Sequence, residues 1–168
     1  MTKGLIKWIR KSTGTLFFIG YVPIMPGTVG SAITVAMLWY FSGLYPGFFH
    51  SSNTAVLWFS SLVFIAICIY LTNDAVNNFG SDDPKQIILD ECAGQLITFF
   101  LIPLSWRVLL LGFFLFRFFD IVKPFPVFKF EDLDDGLGIT MDDIAAGIMA
   151  NLSLFIILWL YHGIKAYL

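Results

Sequence analysis

Charged residues are scarce in this sequence of 168 residues, of which only 13% are Asp, Glu, Lys or Arg. Soluble domains carry roughly 25%. Hydrophobic residues make up 58% of the chain and aromatic residues 18%, and the mean hydropathy is +0.81. This composition predicts an integral membrane protein. The net charge of −2 and the lack of a basic tract argue against nucleic acid as a partner.

Cysteine and histidine are also rare. The two cysteines, Cys68 and Cys92, fit neither the spacing of a metal site nor a disulfide framework. We interpret both as packing residues, because a buried free cysteine behaves as a small hydrophobic side chain. The two histidines, His50 and His162, fall at predicted helix ends away from the acidic residues. This placement argues against a histidine nucleophile or a histidine-rich metal site.

The apolar runs predict an all-α chain that forms a single domain over residues 1–168. Residues 1–20 mix basic and apolar positions, which predicts a retained helix lying in the membrane interface. Three further runs each approach the roughly 20 residues that a membrane-crossing helix needs. They cover residues 29–45, 54–71 and 144–161. The connection 46–53 lacks Lys and Arg, so the positive-inside rule places it away from the cytoplasm and the N-terminus inside.

The remaining apolar run, residues 92–119, is interrupted by Pro103. A single crossing would place Asp90 and Glu91 on the opposite side of the membrane from the charges at 117–123. A hairpin folded at the proline would place all of them on the cytoplasmic side. We favour the hairpin, because proline interrupts a helix. The sequence therefore predicts a polytopic helical bundle with four to five membrane helices, including this broken pair.

A charged cluster ends that run. Arg117, Asp120 and Lys123 follow one another at steps of three, which places them on one face of a helix. Pro124 and Pro126 then end regular structure. Arg and Lys in this setting indicate phosphate recognition. The alternative is a pair of interfacial cations neutralised by Asp120.

Acidic residues stand at the boundaries of several apolar helices. Taken singly they have structural explanations: Thr140 and Asp143 fit a capping box, and acids after residue 89 complement a helix N-terminus. Gathered on one side of a small protein, they would repel one another without a cation between them. Magnesium binds such oxygen ligands together with substrate phosphate. We therefore predict a Mg²⁺ site formed by Asp90, Glu91, Asp120, Asp142 and Asp143.

The segment Pro26–Ser31 contains two glycines and opens an apolar helix. Its backbone N–H groups and the hydroxyls of Thr28 and Ser31 could bind an anion. A tight turn at the membrane interface explains the same pattern equally well.

Four motifs, in this order, resemble the phosphatidylglycerophosphatase A family of bacterial membrane lipid phosphatases. They are Pro23-x-x-Pro26-Gly27-Thr28-x-Gly30-Ser31, Asp83-Pro84 with Ile87-Ile88-Leu89-Asp90-Glu91-x-x-Gly94, Phe116-Arg117-x-Phe119-Asp120-Ile121-x-Lys123-Pro124-x-Pro126, and Gly138-Ile139-x-x-Asp142-Asp143-x-x-Ala146-Gly147. The resemblance covers about residues 23–150. Met25 and Cys92 depart from the residues usual in that family.

The resemblance implies Mg²⁺-dependent removal of the terminal phosphate from phosphatidylglycerophosphate, giving phosphatidylglycerol at the cytoplasmic face of the bacterial inner membrane. Arg117 and Lys123, with Thr28 and Ser31, would bind the substrate. A metal-polarised water would attack phosphorus, with Asp143 or Glu91 as general base. A covalent aspartyl-phosphate on Asp120 or Asp142 is the rival mechanism, and the sequence does not separate the two.

A small cation channel or transporter subunit is the alternative function. Its carboxylates would line an ion path and be spread through the depth of the helices. The sequence assigns neither an oligomeric state nor a role for Asp74, Asp83 and Lys85.

Overall fold

A computed structural model describes residues 2–47, 54–72, 78–80, 84–130, 133 and 135–167. Within these ranges the chain is all-helical and contains no strand. The α-helices are α1 (Thr2–Gly14), α2 (Pro26–Leu44), α3 (Thr54–Thr72), α4 (Leu89–Thr98), α5 (Trp106–Val122) and α6 (Asp135–Tyr167). Short 3-10 turns cover Ile19–Tyr21 and Val127–Lys129.

The long helix α6 is the centre of the bundle, and α3, α4 and α5 all pack against it. Its N-terminal half buries Ala145, Ala146 and Ala150 against Phe116 of α5 and Val127 of the following turn. Small side chains at these positions allow neighbouring backbones to approach closely, as is common between membrane helices. Phe116 is thereby fixed one residue before Arg117, at the end of α5 where the charges begin.

The predicted break near Pro103 is present, because α4 ends at Thr98 and α5 begins at Trp106. The side-chain amide of Asn151, on α6, donates to the carbonyl oxygens of Thr98 (3.0 Å) and Phe100 (2.9 Å). On the other side of the break, Ser105 Oγ caps α5 by accepting from the Val108 N–H. Backbone groups freed at the break are thus bonded within the protein, as an apolar environment requires.

Two glycines set the distance between α4 and α6. A Cβ at Gly94 would fall 2.5 Å from the carbonyl oxygen of Asp143, and a Cβ at Gly147 would collide with the carbonyl oxygen of Gly94. Asp90 precedes Gly94 by the same number of residues as Asp143 precedes Gly147. The two helices run in the same direction, so this contact brings the two acidic residues together.

Several helix boundaries differ from the sequence predictions, and two of them bear on the site. Helix α2 begins at Pro26 rather than near residue 29, because proline is well suited to the first helical position. Helix α6 begins at Asp135 rather than at Ile144. The predicted capping box is therefore wrong: Thr140 lies inside the helix, and its buried hydroxyl lies 3.3 Å from that of Thr72.

The position of Lys123 also differs from the sequence prediction. It does not continue the helical face of Arg117 and Asp120, because α5 ends at Val122 and Lys123 adopts a left-handed conformation with φ 44°. The proline that follows disfavours the α region at this residue.

Two described helices are long and apolar enough to cross a membrane, Pro26–Leu44 and Gly136–Tyr161, and Phe59–Thr72 is a shorter apolar helix. Large outward-facing side chains accompany them, including Trp39 (65% exposed), Phe59 (69%) and Trp159 (68%). Four to five membrane helices, and the position of α1 in the membrane interface, remain predictions.

Several residues from the sequence analysis lie outside the described ranges. These are His50, Asp74 and Asp83, together with the side chain of His162.

Candidate active site

A cavity of about 640 Å³ lies at the end of the bundle where α4 and α6 begin and α5 ends. It is lined by all five carboxylates that the sequence analysis selected. They are Asp90, Glu91, Asp120, Asp142 and Asp143. The cavity also contains Lys85, Arg117 and Lys123. The hairpin prediction placed the acids of α4 near the charges at the end of α5. The structure agrees, because both groups line this cavity.

Three of the carboxylates form a tight cluster. One oxygen from each of Asp90, Glu91 and Asp143 lies within 4.8 Å of the other two. Asp90 is 5% exposed and Asp143 is 4% exposed. Carboxylates this close and this far from solvent repel one another strongly unless a proton or a cation lies between them.

Two oxygens of the cluster have no hydrogen-bond partner among the described residues. They are Glu91 Oε2 and Asp143 Oδ1, and both are buried. Buried carboxylate oxygens without donors are costly, whereas oxygen atoms are the ligands that Mg²⁺ prefers. The chemistry of this donor set therefore fits the divalent cation that the sequence predicts.

Two other oxygens of the acidic residues accept hydrogen bonds from the backbone. Asp90 Oδ1 accepts from the Glu91 N–H at 3.0 Å, and Asp142 Oδ1 accepts from the Asp143 N–H at 2.9 Å. In each consecutive acidic pair, the first side chain thus bonds the backbone N–H of the second. Asp90 and Glu91 also occupy the first turn of α4, where the positive end of the helix dipole favours negative charge.

Without a bound cation, the environment of Glu91 favours its protonated form. Burial is the main cause and raises the pKa of Glu91 well above its usual range. The negative charges of Asp90 and Asp120 raise this pKa further, and the positive charge of Arg117 lowers it in part. Glu91 is therefore electrostatically linked both to the acidic cluster and to the end of α5.

The cations of the site are divided between two carboxylates. Arg117 forms an ion pair with Asp120 one turn along α5, as the spacing predicts. Lys123 Nζ instead contacts Asp142 Oδ2 of α6 at 2.8 Å. Asp120 and Asp142 therefore each accompany a cation, and neither belongs to the cluster of Asp90, Glu91 and Asp143. The alternative in which Asp120 alone neutralises both Arg117 and Lys123 therefore does not apply.

The N-terminus of α2 closes one wall. Met25, Pro26 and Gly27 line the cavity, and a Cβ at Gly27 would collide with Glu91 Oε1 and lie 3.2 Å from Arg117 Nη1. A side chain at position 27 would therefore displace the Glu91 carboxylate from its place beside α2.

Neither predicted hydroxyl of this segment lines the cavity. Ser31 Oγ donates to the carbonyl oxygen of Gly27 at 2.9 Å, within α2. Thr28 Oγ1 is buried without a partner among the described residues. Their assignment to the substrate stays a prediction.

Lys85 is the residue of this cavity whose role the sequence leaves open. It lies on the turn before α4, and its side chain is exposed. Its proximity to the site could have been suggested by its position five residues before Asp90.

The clustering of the charges does not favour the ion-path alternative. In the described part of the chain, the selected carboxylates meet at one end of the bundle rather than through its depth. Arg117 and Lys123 stand among them, and cations of this kind oppose the passage of another cation.

Comparisons with known proteins relate the chain to a family of phosphatases. The description of the family Phosphatidylglycerophosphatase A matches residues 12–158. A Bacteroides thetaiotaomicron protein, provisionally named phosphatidylinositol-3-phosphatase, is 34% identical over 87% of this chain and 91% of its own length. Phosphatidylglycerophosphatase A from Escherichia coli K12 is 34% identical, over 80% of this chain and 74% of its own length.

The protein named Phosphatidylglycerophosphatase A from Haemophilus influenzae Rd is 42% identical, over 57% of this chain and 63% of its own length. No solved structure matches the chain. The family match spans most of the sequence and includes every residue of the cavity. The chain therefore belongs to the phosphatidylglycerophosphatase A family of phosphatases.

Proposed function

We propose that this protein hydrolyses the terminal phosphomonoester of phosphatidylglycerophosphate to give phosphatidylglycerol and inorganic phosphate. The observation that carries the proposal is one cavity in which a cluster of three carboxylates faces two ion-paired cations. Carboxylates suit a divalent cation, and Arg and Lys suit the phosphate oxygens. These are the components that phosphoryl transfer requires.

The similarity to named relatives supports a phospholipid substrate. Two of them are named as phosphatases of phosphatidylglycerophosphate and one, provisionally, as a phosphatase of phosphatidylinositol 3-phosphate. Both lipids carry the phosphomonoester on a polar headgroup that a phosphodiester joins to diacylglycerol. We prefer phosphatidylglycerophosphate, because it corresponds to the family that the chain matches over residues 12–158.

Asp90, Glu91 and Asp143 are the residues that would hold Mg²⁺ in this proposal. Their oxygens are close together, and two of them have no other partner among the described residues. Bound there, the ion would supply Lewis-acid stabilisation of charge on the phosphoryl group. Asp120 and Asp142, which the sequence also suggests as ligands, instead hold Arg117 and Lys123 in this arrangement.

The two ion-paired cations would bind the phosphate. Arg117 offers a planar fork of N–H donors to two phosphoryl oxygens, and Asp120 fixes its orientation. Lys123, held by Asp142, contributes a compact positive charge. Both cations would neutralise negative charge on the phosphoryl oxygens as the bond to the leaving oxygen lengthens.

Glu91 is the residue we assign as general base, because a cation bound beside it would lower its pKa and keep its carboxylate ionised. Its Oε1 and Arg117 Nη1 both border Gly27, so a water between them would lie beside a phosphate bound to Arg117. Glu91 would take a proton from this water while the water oxygen bonds to phosphorus. The bond from phosphorus to the glycerol oxygen breaks, the released oxygen takes a proton from solvent, and Glu91 then returns its own proton to solvent. Direct attack by Asp120 or Asp142 is less suited, because an ion-paired carboxylate is a weaker nucleophile.

The surroundings of the cavity suit a lipid. Met25 (57% exposed) and Ile121 (62% exposed) lie on its lining, and Phe125 is exposed nearby in the chain. The diacyl tails can remain in the membrane while the headgroup enters the charged cavity. The basic residues of α1 adjoin the same end, since the Ile88 N–H bonds the Gly14 carbonyl oxygen. By the positive-inside rule, we assign the cavity to the cytoplasmic face of the bacterial inner membrane.

The test is product formation from defined lipid. Detergent-purified wild type should convert phosphatidylglycerophosphate into equal amounts of phosphatidylglycerol and inorganic phosphate, quantified by lipid mass spectrometry and a phosphate assay. Asp120→Asn should lose most of this activity, because Arg117 loses its ion-pair partner. Asp135→Asn, at the start of α6, is the matched control. The proposal fails if folded wild type forms neither product.

A further inference from the structure

Lys85 is presented to the cavity from a fixed turn. The Ile87 N–H bonds the Pro84 carbonyl oxygen at 2.9 Å, and the Ile88 N–H bonds the carbonyl oxygen of Gly14, at the end of α1, at 3.0 Å. The carbonyl oxygen of Gln86 lies so close to Gly20 that a Cβ there would collide with it. The backbone around Lys85 is therefore held in place, while Lys85 itself is exposed and lines the cavity.

Lys85 also differs in its pairing from the other two cations. Arg117 pairs with Asp120, and Lys123 pairs with Asp142. Within the described ranges, Lys85 makes no ion pair, although it shares a cavity with five carboxylates. Among the described residues, no carboxylate is paired with Lys85, so its charge suits an anion from outside the protein.

The proposed substrate contains two phosphates with different charges. The terminal monoester carries up to two negative charges, and the phosphodiester that joins glycerol to diacylglycerol carries one. In the proposed function, the monoester lies among Arg117, Lys123 and the acidic cluster. The diester then lies nearer the lipid, toward the exposed rim of the cavity. A single exposed ammonium group suits a singly charged diester, because Lys acts as a point charge without bidentate geometry.

We infer that Lys85 binds the phosphodiester of the lipid substrate and so selects lipids with a diester between the diacyl tails and the reacting monoester. This inference rests on the proposed function. It assigns Lys85 to substrate binding rather than to the chemical step. Phosphatidylinositol 3-phosphate has the same arrangement of phosphates, so Lys85 would serve either headgroup.

The experiment compares Lys85→Ala with Lys129→Ala, a control that removes an exposed lysine outside the cavity lining. In mixed micelles, KM for phosphatidylglycerophosphate should rise about tenfold in Lys85→Ala, corresponding to the loss of one charge-assisted contact. The effect on kcat should be smaller than the effect on KM. Lys85→Arg should restore most of the affinity, because it restores the charge.

Product inhibition separates the two phosphates. Phosphatidylglycerol contains the diester alone, and inorganic phosphate mimics the monoester. The inhibition constant of phosphatidylglycerol should rise in Lys85→Ala by a factor similar to the change in KM, and that of inorganic phosphate should stay within about twofold. Equal weakening of both inhibitors, or no weakening of either, would overturn the assignment of Lys85. An inactive wild type would instead refute the proposed function itself.

Discussion

Gly94 of α4 and Gly147 of α6 lie in contact, and each follows an acidic residue of the carboxylate cluster by one helical turn. The contact places Asp90 and Glu91 beside Asp143, although these residues are more than fifty positions apart in the chain. The geometry of the site therefore depends on two positions that carry no side chain. Any atom added there must move the helices that hold the acids.

Gly147→Ala should destabilise the protein. The added methyl group collides with the backbone of Gly94, and overpacking of this kind costs about 1–3 kcal/mol. The matched control is Gly43→Ala in α2, where an added Cβ meets no atom within 4 Å. This control should be neutral or stabilising by up to about 1 kcal/mol, because alanine is the better helix former. Thermal unfolding in detergent measures both, and equal unfolding temperatures for the two variants would contradict the contact.

Gly27→Ala should reduce activity more than stability. The added methyl group collides with Glu91 Oε1, which can move only by leaving its position beside Arg117. Displacement of a catalytic group by about 1 Å can cost roughly a hundredfold in rate. Phosphate release at saturating lipid measures the effect, again with Gly43→Ala as control. Wild-type activity in Gly27→Ala would show that Glu91 need not lie against α2.

Asn151→Leu should destabilise the break between α4 and α5. It removes both donors to the carbonyl oxygens of Thr98 and Phe100 while keeping a side chain of similar volume. The expected cost is about 1–2 kcal/mol, given the modest net strength of hydrogen bonds in membrane proteins. Leu152→Ala, which truncates an exposed side chain on the next residue, is the control. The role of Asn151 as a cap would be refuted by unfolding curves that coincide with wild type.

Both cysteines should be protected from thiol reagents in the folded protein. Cys68 is 0% exposed and Cys92 is 6% exposed, in agreement with the prediction that they are packing residues. A maleimide added to native protein in detergent should label neither, and both should react after denaturation in SDS. The same experiment can be done on variants that keep only one of the two cysteines. Rapid labelling of such a variant before denaturation would show that the helix carrying that cysteine opens.

The local parts of this site follow from the sequence. Arg117 and Asp120 are close in the chain and on one helical turn, so their ion pair could be predicted from spacing alone. The break near Pro103 could be predicted for a similar reason, because proline acts on its own segment. The placement of all five carboxylates at one end followed from that break.

The tertiary parts could not be predicted in the same way. The pairing of Lys123 with Asp142 depends on where α5 ends and α6 begins, and the sequence predicts the last helix only from Ile144. The residues from Asp135 to Asp143 precede that apolar run but continue the helix, since Ile139 is buried against Ile87 and Asp142 pairs with Lys123. The equal spacing of Asp90 to Gly94 and of Asp143 to Gly147 was visible in the sequence, but only the contact gives it meaning.

The most direct test of the central claim is phosphate release from phosphatidylglycerophosphate as a function of Mg²⁺ for wild type, Asp143→Asn and Asp135→Asn. Before the assay, each protein is treated with EDTA and its fold is checked by circular dichroism. Wild type and Asp135→Asn should be inactive without metal and regain activity with Mg²⁺, whereas Asp143→Asn should stay at least about a hundredfold slower at every concentration. Full activity of folded Asp143→Asn, or equal activity of wild type with and without divalent cations, would contradict a metal-dependent site at this carboxylate cluster.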